Sequence, residues 1–194
     1  MFATTDARAR IRDKVREAVV SGVVPPGLTL EEIIACLRES KGHNIFEMFG
    51  FLSRTHKRNG VVIADGIVSC MLVTQGFAQY LIDSLQDSTT YPMDAFKYHA
   101  LGTGTTAEAN TQSTLVTEVE SRVVGTQIEG ATAFIYKTVA TFVFTGSHAI
   151  SEHGIFSASS GGIMMDRSIL SPVDNVLNTD EIEYTYQLTA AAES

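Results

Sequence analysis

Hydrophobic and polar positions alternate most clearly over residues 181–189. Ile182, Tyr184, Tyr186 and Leu188 fall on one side of this stretch, and Glu181, Glu183, Thr185, Gln187 and Thr189 on the other. Period two describes a strand with one buried and one wet face. The same texture marks strands near 96–101, 132–144, 148–157 and 162–169, with turns at Gly146-Ser147, Ser159 to Gly162 and Asn175 to Asp180. Residues 113–124 fit helix and strand alike, because Leu115, Val116, Val119 and Val123 satisfy both periods.

The first ninety residues read differently. Ala7, Ile11, Val15 and Val19 recur at helical spacing, and Pro25-Pro26-Gly27 ends that run. Thr29 to Glu32 is a capping-box pattern opening a second helix, with Ile33, Ile34 and Leu37 on its apolar face. Residues 43–58 are aromatic-rich and fit either a helix or a buried connector. Asn59-Gly60 signals a turn, with a short strand over 61–64. Residues 67–85 form the longest helix candidate, and the polar stretch 86–92 reads as a linker. The expected fold is therefore α+β: a mainly helical segment, 1–90, followed by an antiparallel, jelly-roll-like β-sandwich, 91–194.

Charge sharpens this division. Residues 1–60 carry ten Lys/Arg against seven Asp/Glu (+3), and residues 61–194 carry four against fifteen (−11), giving −8 in all. A β half so poor in cations is a poor partner for phosphates, so nucleic acid is not expected. The apolar run 67–85 is broken by Gln75, Gln79 and Asp83 and fails as a membrane span. No apolar leader follows Met1 to Asp6. Cys36 and Cys70 sit in apolar patterns and suggest free thiols.

Candidate chemistry is sparse. Gly102-Thr103-Gly104-Thr105-Thr106 invites a phosphate-loop reading, but the next residues are Ala107 and Glu108 where a lysine is needed. A turn requiring positive φ accounts better for its glycines. His148, Glu152 and His153 offer metal ligands, yet a strand places His153 on the face opposite Glu152. Asp180, Glu181 and Glu183 read as a solvated strand edge, and Asp166-Arg167 as a weak surface ion pair. Ser157, Ser159 and Ser160 have no base in a nucleophile motif. No catalytic residue, cofactor or metal is expected. The absence of tryptophan weighs against the other class considered, a host-surface carbohydrate-binding or hydrolytic β-domain.

Several stretches, taken in order, resemble a β-domain of tailed-bacteriophage virion proteins. They are Leu101 to Ala107, Thr114 to Val119 with Arg122-Val123, Lys137 to Phe142, Ala149 to Phe156, Gly161 to Arg167 and Tyr184 to Thr189. Met164 and Met165 stand where the resembled hairpin carries leucines. The resemblance spans about residues 96–190 and implies a structural role in the virion, assembled in the host cytoplasm. A compact acidic chain without fibrous repeats suits a capsid decoration (cement) protein, with a tail, neck or fibre-attachment protein as the alternative. The expected partners are further copies of the chain, as a trimer, and other virion proteins such as the major capsid protein. Arg8, Arg12 and Arg16 are the candidates for steering onto an acidic partner, and Phe46 and Phe49 for anchoring subunit contacts.

Overall fold

Nine antiparallel strands account for most of the residues described, 47–130 and 135–191, in the computed structural model. They are β1 (Glu47–Arg58), β2 (Val61–Val73), β3 (Tyr98–Gly102), β4 (Glu118–Val124), β5 (Thr126–Glu129), β6 (Ile135–Val143), β7 (His148–Phe156), β8 (Met164–Val176) and β9 (Glu181–Ala191). One helix, α1 (Gln75–Gln86), follows β2, and a short 3-10 turn (Met93–Ala95) precedes β3. Five strands form one sheet in the order β2-β1-β9-β6-β5, and four form the other in the order β4-β3-β7-β8. The two sheets pack as a sandwich. At one side β2 crosses between them, pairing with β1 along most of its length and with β8 at Leu72 and Val73. At the other side β4 and β5 are separated by Gly125 alone, so the chain turns from one sheet into the next.

The alternation of β9 holds in three dimensions. Ile182, Tyr184, Tyr186 and Leu188 are buried in the core, while Glu181 and Glu183 face solvent. They pack with Leu52 of β1, Ala140 and Phe142 of β6, Ile150 and Ile155 of β7, and Leu170 of β8. The Asn59-Gly60 turn also forms: both residues have positive φ (52° and 77°), which a two-residue hairpin turn needs and which Asn and Gly supply at low cost.

The first half departs from its expected helices. Residues 47–58, which fitted a helix or a buried connector, are a strand; the strand expected over 61–64 forms and runs on to Val73, so the helix expected over 67–85 begins only at Gln75. The run Val61–Val73 is rich in β-branched residues, and sheet pairing claims it. Thr74 marks the switch. Its hydroxyl accepts from the Phe77 amide (3.1 Å) and donates to the Met164 carbonyl (2.5 Å), so it caps α1 and ties it to β8. The division at 86–92 does not separate helices from strands either, because β1 is an interior strand of the five-stranded sheet, between β2 and β9. The helices expected over 6–21 and 29–41 lie outside the described residues. Thr74→Ala should lower stability by about 1–2 kcal/mol in urea unfolding, since it removes a buried cap. A change within the scatter of surface substitutions would deny that role.

Helix α1 covers one part of the core through Phe77 and Tyr80, whose rings meet Phe96 edge-on at 5.0 and 4.8 Å. The outer face of the four-stranded sheet has its own smaller cluster of Ala100, Leu115, Phe156 and Met164. Leu115 comes from the long 103–117 connection between β3 and β4, which is folded down on that face. Arg122 lies 3.5 Å over the Phe156 ring and is held by Glu118.

Candidate functional site

The 103–117 connection is held by one carboxylate. Glu152 projects from β7 on the outer face of its sheet and is fully buried beneath the connection. Its Oε1 accepts from the amides of Gly104 (3.0 Å) and Thr117 (2.8 Å), and its Oε2 from Val116 (3.1 Å) and Arg167 Nε (2.7 Å). A second guanidinium nitrogen of Arg167 lies 2.7 Å from the same oxygen, off the line of a hydrogen bond. Arg167 also donates to the Thr106 carbonyl (3.0 Å) and to Gln112 Oε1 (3.1 Å). Burial alone would raise the Glu152 pKa. The two amides and the guanidinium outweigh it and hold the group below its ordinary value.

The glycine-threonine loop is thus an anion nest occupied by the chain's own side chain. That replaces the account of its glycines given from sequence. Neither Gly102 nor Gly104 has positive φ. What excludes a side chain is space. A Cβ on Gly104 would sit 2.5 Å from Glu152 Oε1 and 2.6 Å from Val116 Cβ, and one on Gly102 would collide with Glu152 Oε1 and the Thr117 carbonyl. Gly104→Ala should therefore cost about 1–3 kcal/mol and loosen the connection, as overpacking does. Hydrogen exchange at the Val116 and Thr117 amides is the direct readout; unchanged protection would count against the clasp.

A second polar group lies between the sheets. His99 Nδ1 meets His153 Nε2 at 3.0 Å, and His99 Nε2 meets Thr138 Oγ1 at 3.2 Å. Burial holds His99 down to about 3; burial, then the neighbouring His99, hold His153 well below its ordinary value. Both rings are neutral at physiological pH, as their mutual hydrogen bond requires of at least one of them. Asp166 is close by on β8. Neither of its oxygens, nor Tyr186 Oη, Ser168 Oγ or His153 Nδ1, has a hydrogen-bond partner among the described residues. Burial pushes the Asp166 carboxyl up to about 8. Further along, Arg54 pairs with Asp174, which also accepts from Tyr184 Oη at 3.1 Å.

A third group closes one end of the molecule. Asp180 accepts from both Arg58 Nε (3.0 Å) and an Arg58 terminal nitrogen (2.7 Å), meets His56 Nε2 at 3.0 Å, and accepts from the Leu177 amide at 3.0 Å. The bond from Arg58 is the largest effect holding its pKa far below the usual carboxylate range.

Several expectations change accordingly. Asp180 is buried, and only Glu181 and Glu183 form the solvated edge. Asp166 and Arg167 do not pair: Arg167 turns outward to Glu152, and Asp166 is fully buried without a cation partner. His148, Glu152 and His153 go three ways, to Glu120 (3.2 Å), Arg167 and His99 respectively. Phe49 lies on β1 opposite Thr189. Arg8, Arg12, Arg16 and Phe46 lie outside the described residues, as does Cys36. Sequence reasoning missed His99, Arg54 and Asp174 as buried polar residues.

The chemistry open to these groups is limited. The histidines and Asp166 are sealed from solvent, so a substrate does not reach them. Among the described residues, no three His, Cys, Asp or Glu side chains converge as a metal site would require, and no helix is long and apolar enough to cross a membrane. Burial pushes the Cys70 thiol up to about 11, which leaves it unreactive. An open groove of about 660 Å³ is lined by Met93, Asp94, Ile128, Glu129, Tyr136 and Leu188 among others. Its one phenol is already committed to the Phe96 carbonyl (2.5 Å) and Gln127 (2.8 Å). Comparison with protein-family models, with curated proteins and with solved structures gives no match.

Proposed function

We propose that this chain is a non-enzymatic structural protein of a tailed-bacteriophage particle, with capsid decoration (cement) as its role. The observation that carries the reading is the Glu152–Arg167 clasp. Four of the stretches behind the sequence resemblance supply its parts: Gly104 and Thr106 from the first, Val116 and Thr117 from the second, Glu152 from the fourth and Arg167 from the fifth. Residues from these stretches meet in one connected device, and that meeting supports the reading. The device is structural: it presses a long surface connection onto a sheet, as a shell protein exposed to proteases and dilution requires. The jelly-roll-like description belongs to the same reading, since the strands pass between sheets at both sides. Acids and bases sealed from solvent favour a scaffold over a hydrolase.

In this role the chain coats the head as a homo-oligomer attached to the major capsid protein. Labelling purified particles with an antibody raised against the recombinant chain tests it by electron microscopy. Label over the head is the expected result. Label confined to the tail or neck would transfer the protein to the alternative role, a tail or fibre-attachment component. Absence from particles altogether would overturn the reading.

A further inference from the structure

The outer face of the five-stranded sheet is wet at one end and dry at the other. Alternate residues of β1, β9 and β6 lie on it, in rows set by the strand register. In the row nearest the Asn59-Gly60 turn, Lys57, Glu181 and Val143 are all exposed. In the next, Glu183 and Thr141 are exposed and Thr55 is half-buried. Ser53, Thr185 and Val139 follow, all half-buried. Then Gln187 and Lys137 are half-buried, and Phe51 is only 5% exposed. In the last row Thr189 is 8% exposed and Ile135 is half-buried. A sheet does not dry its own outer face, because side chains stand out from it alike in every row. Something therefore lies over the last rows. No described element is placed there. The four-stranded sheet and α1 pack on the opposite face, against Leu52, Tyr184, Tyr186 and Leu188. The 103–117 connection is held to the four-stranded sheet by Glu152. The burial is that of a single chain, so the cover is the chain's own.

We propose that residues 29–41 form an amphipathic helix that lies across the outer face of β1, β9 and β6, over Phe51 and Thr189. Position favours this segment. The chain enters β1 at Glu47, opposite Ala191, which is the dry end of the sheet. Residues 42–46 tether Lys41 within about 20 Å of Glu47. A helix over 29–41 is itself about 20 Å long, enough to cross three strands spaced about 4.8 Å apart. Its pattern fits as well. At about 100° per residue, Leu30, Ile33, Ile34 and Leu37 share one apolar stripe, while Glu32 and Glu39 fall on the opposite side. A helix this short is marginal alone in water and is stabilised by burying such a stripe. The other undescribed stretches fit less well. Residues 131–134 and 192–194 hold one large apolar side chain between them, Phe134. The stripe of 6–21 is Ala7, Ile11, Val15 and Val19, and Pro25-Pro26 and the whole of 29–41 stand between it and β1. The covered sandwich then has three layers: one helix, the five-stranded sheet and the four-stranded sheet. The seat is independent of any role in a virion.

Nuclear magnetic resonance of the full, isotope-labelled chain reads the contact directly. Methyl groups of Leu30, Ile33, Ile34 and Leu37 should show nuclear Overhauser contacts to the Phe51 ring and the Thr189 methyl. Contacts from Ile11, Val15 and Val19 instead, or from no residue before 42, would overturn the proposal. So would contacts seen only between labelled and unlabelled copies in a mixed sample, because the cover would then be a second chain. Cys70 gives another readout. It lies opposite Phe51 on the same face, and burial pushes its thiol up to about 11. Leu37→Asp should speed Cys70 alkylation, located by peptide mass, at least about tenfold by uncovering that face. Glu39→Lys, on the far side of the helix, should leave the rate as in wild type. A Leu37→Asp protein that keeps its strand signal in circular dichroism and alkylates Cys70 at the wild-type rate would overturn the proposal. The wild-type methyl contacts decide the matter even if that variant loses its sheet.

Discussion

Arg167→Met is expected to destabilise the protein by about 3–5 kcal/mol, because it strands a buried carboxylate. Glu152 is fully buried, and Arg167 is its only charged partner among the described residues. The amides of Gly104, Val116 and Thr117 remain and soften the loss. The double variant Glu152→Gln, Arg167→Met should recover much of it, since removing both charges is cheaper than removing one. The loss has a location as well as a size. Segment 103–117 should lose hydrogen-exchange protection first and become the preferred site of proteolysis, while β9 stays protected until global unfolding. Urea titration and limited proteolysis check both parts. A single variant within about 1 kcal/mol of wild type would deny the clasp its role.

The second large effect is a stability optimum near pH 6, with a fall on either side. His99 and His153 have folded pKa values below the ordinary 6.5, so the unfolded chain binds more protons in acid; the stability they confer is complete above pH 6.5 and is lost as pH falls. Glu152 and Asp180 act in the same direction at lower pH. Asp166 acts oppositely. Its folded pKa of about 8 lies above the ordinary 3.8, so the folded chain holds the extra proton; this contribution is complete below pH 3.8 and is lost as pH rises through 8. Each group limits the slope to about 1.4 kcal/mol per pH unit. Between pH 6.5 and 8 Asp166 governs, and stability falls. The groups facing it, Glu108 and the Tyr186 hydroxyl, do not reverse that direction. Asp166→Asn should match wild type near pH 4, flatten the profile above pH 6.5 and leave the variant more stable at pH 8. Denaturation midpoints at four or five pH values suffice. Parallel profiles for the two proteins would show that Asp166 does not titrate in this window.

Legibility from sequence followed local geometry. β9 was readable because each inward residue is apolar and each outward one polar, so its period survives without knowledge of its neighbours. The Asn59-Gly60 turn was readable because its φ values demand those residue types. β2 was readable only at its start, 61–64: the apolar run beyond it has no period to read, and Thr74 hides a strand-to-helix switch at its end. The polar interior was also out of reach. Charged and imidazole side chains are ordinarily placed on a surface, and what buries them here is partners far along the chain. Arg54 and Asp174 are 120 positions apart, His56 and Asp180 are 124 apart, and His99 and His153 are 54 apart. Asp166 and Arg167 illustrate the limit: adjacent in sequence and opposite in charge, they go to opposite sides of one strand, which period two requires of any neighbours.

The position of β1 bears on how the molecule is made. In the order of synthesis it is the first of the nine strands, and its sheet neighbour β9 is the last, with Glu47 opposite Ala191 and Lys57 opposite Glu181. A nascent chain therefore carries the β1–β2 hairpin without its β9 partner until translation has passed residue 181, and closure of the sheet waits for that strand. A chain ending before Glu181 leaves β1 and β6 without the strand that joins them and the core without Ile182, Tyr184 and Tyr186. Products that stop before β9 thus cannot complete the five-stranded sheet, so the topology acts as its own check on translation.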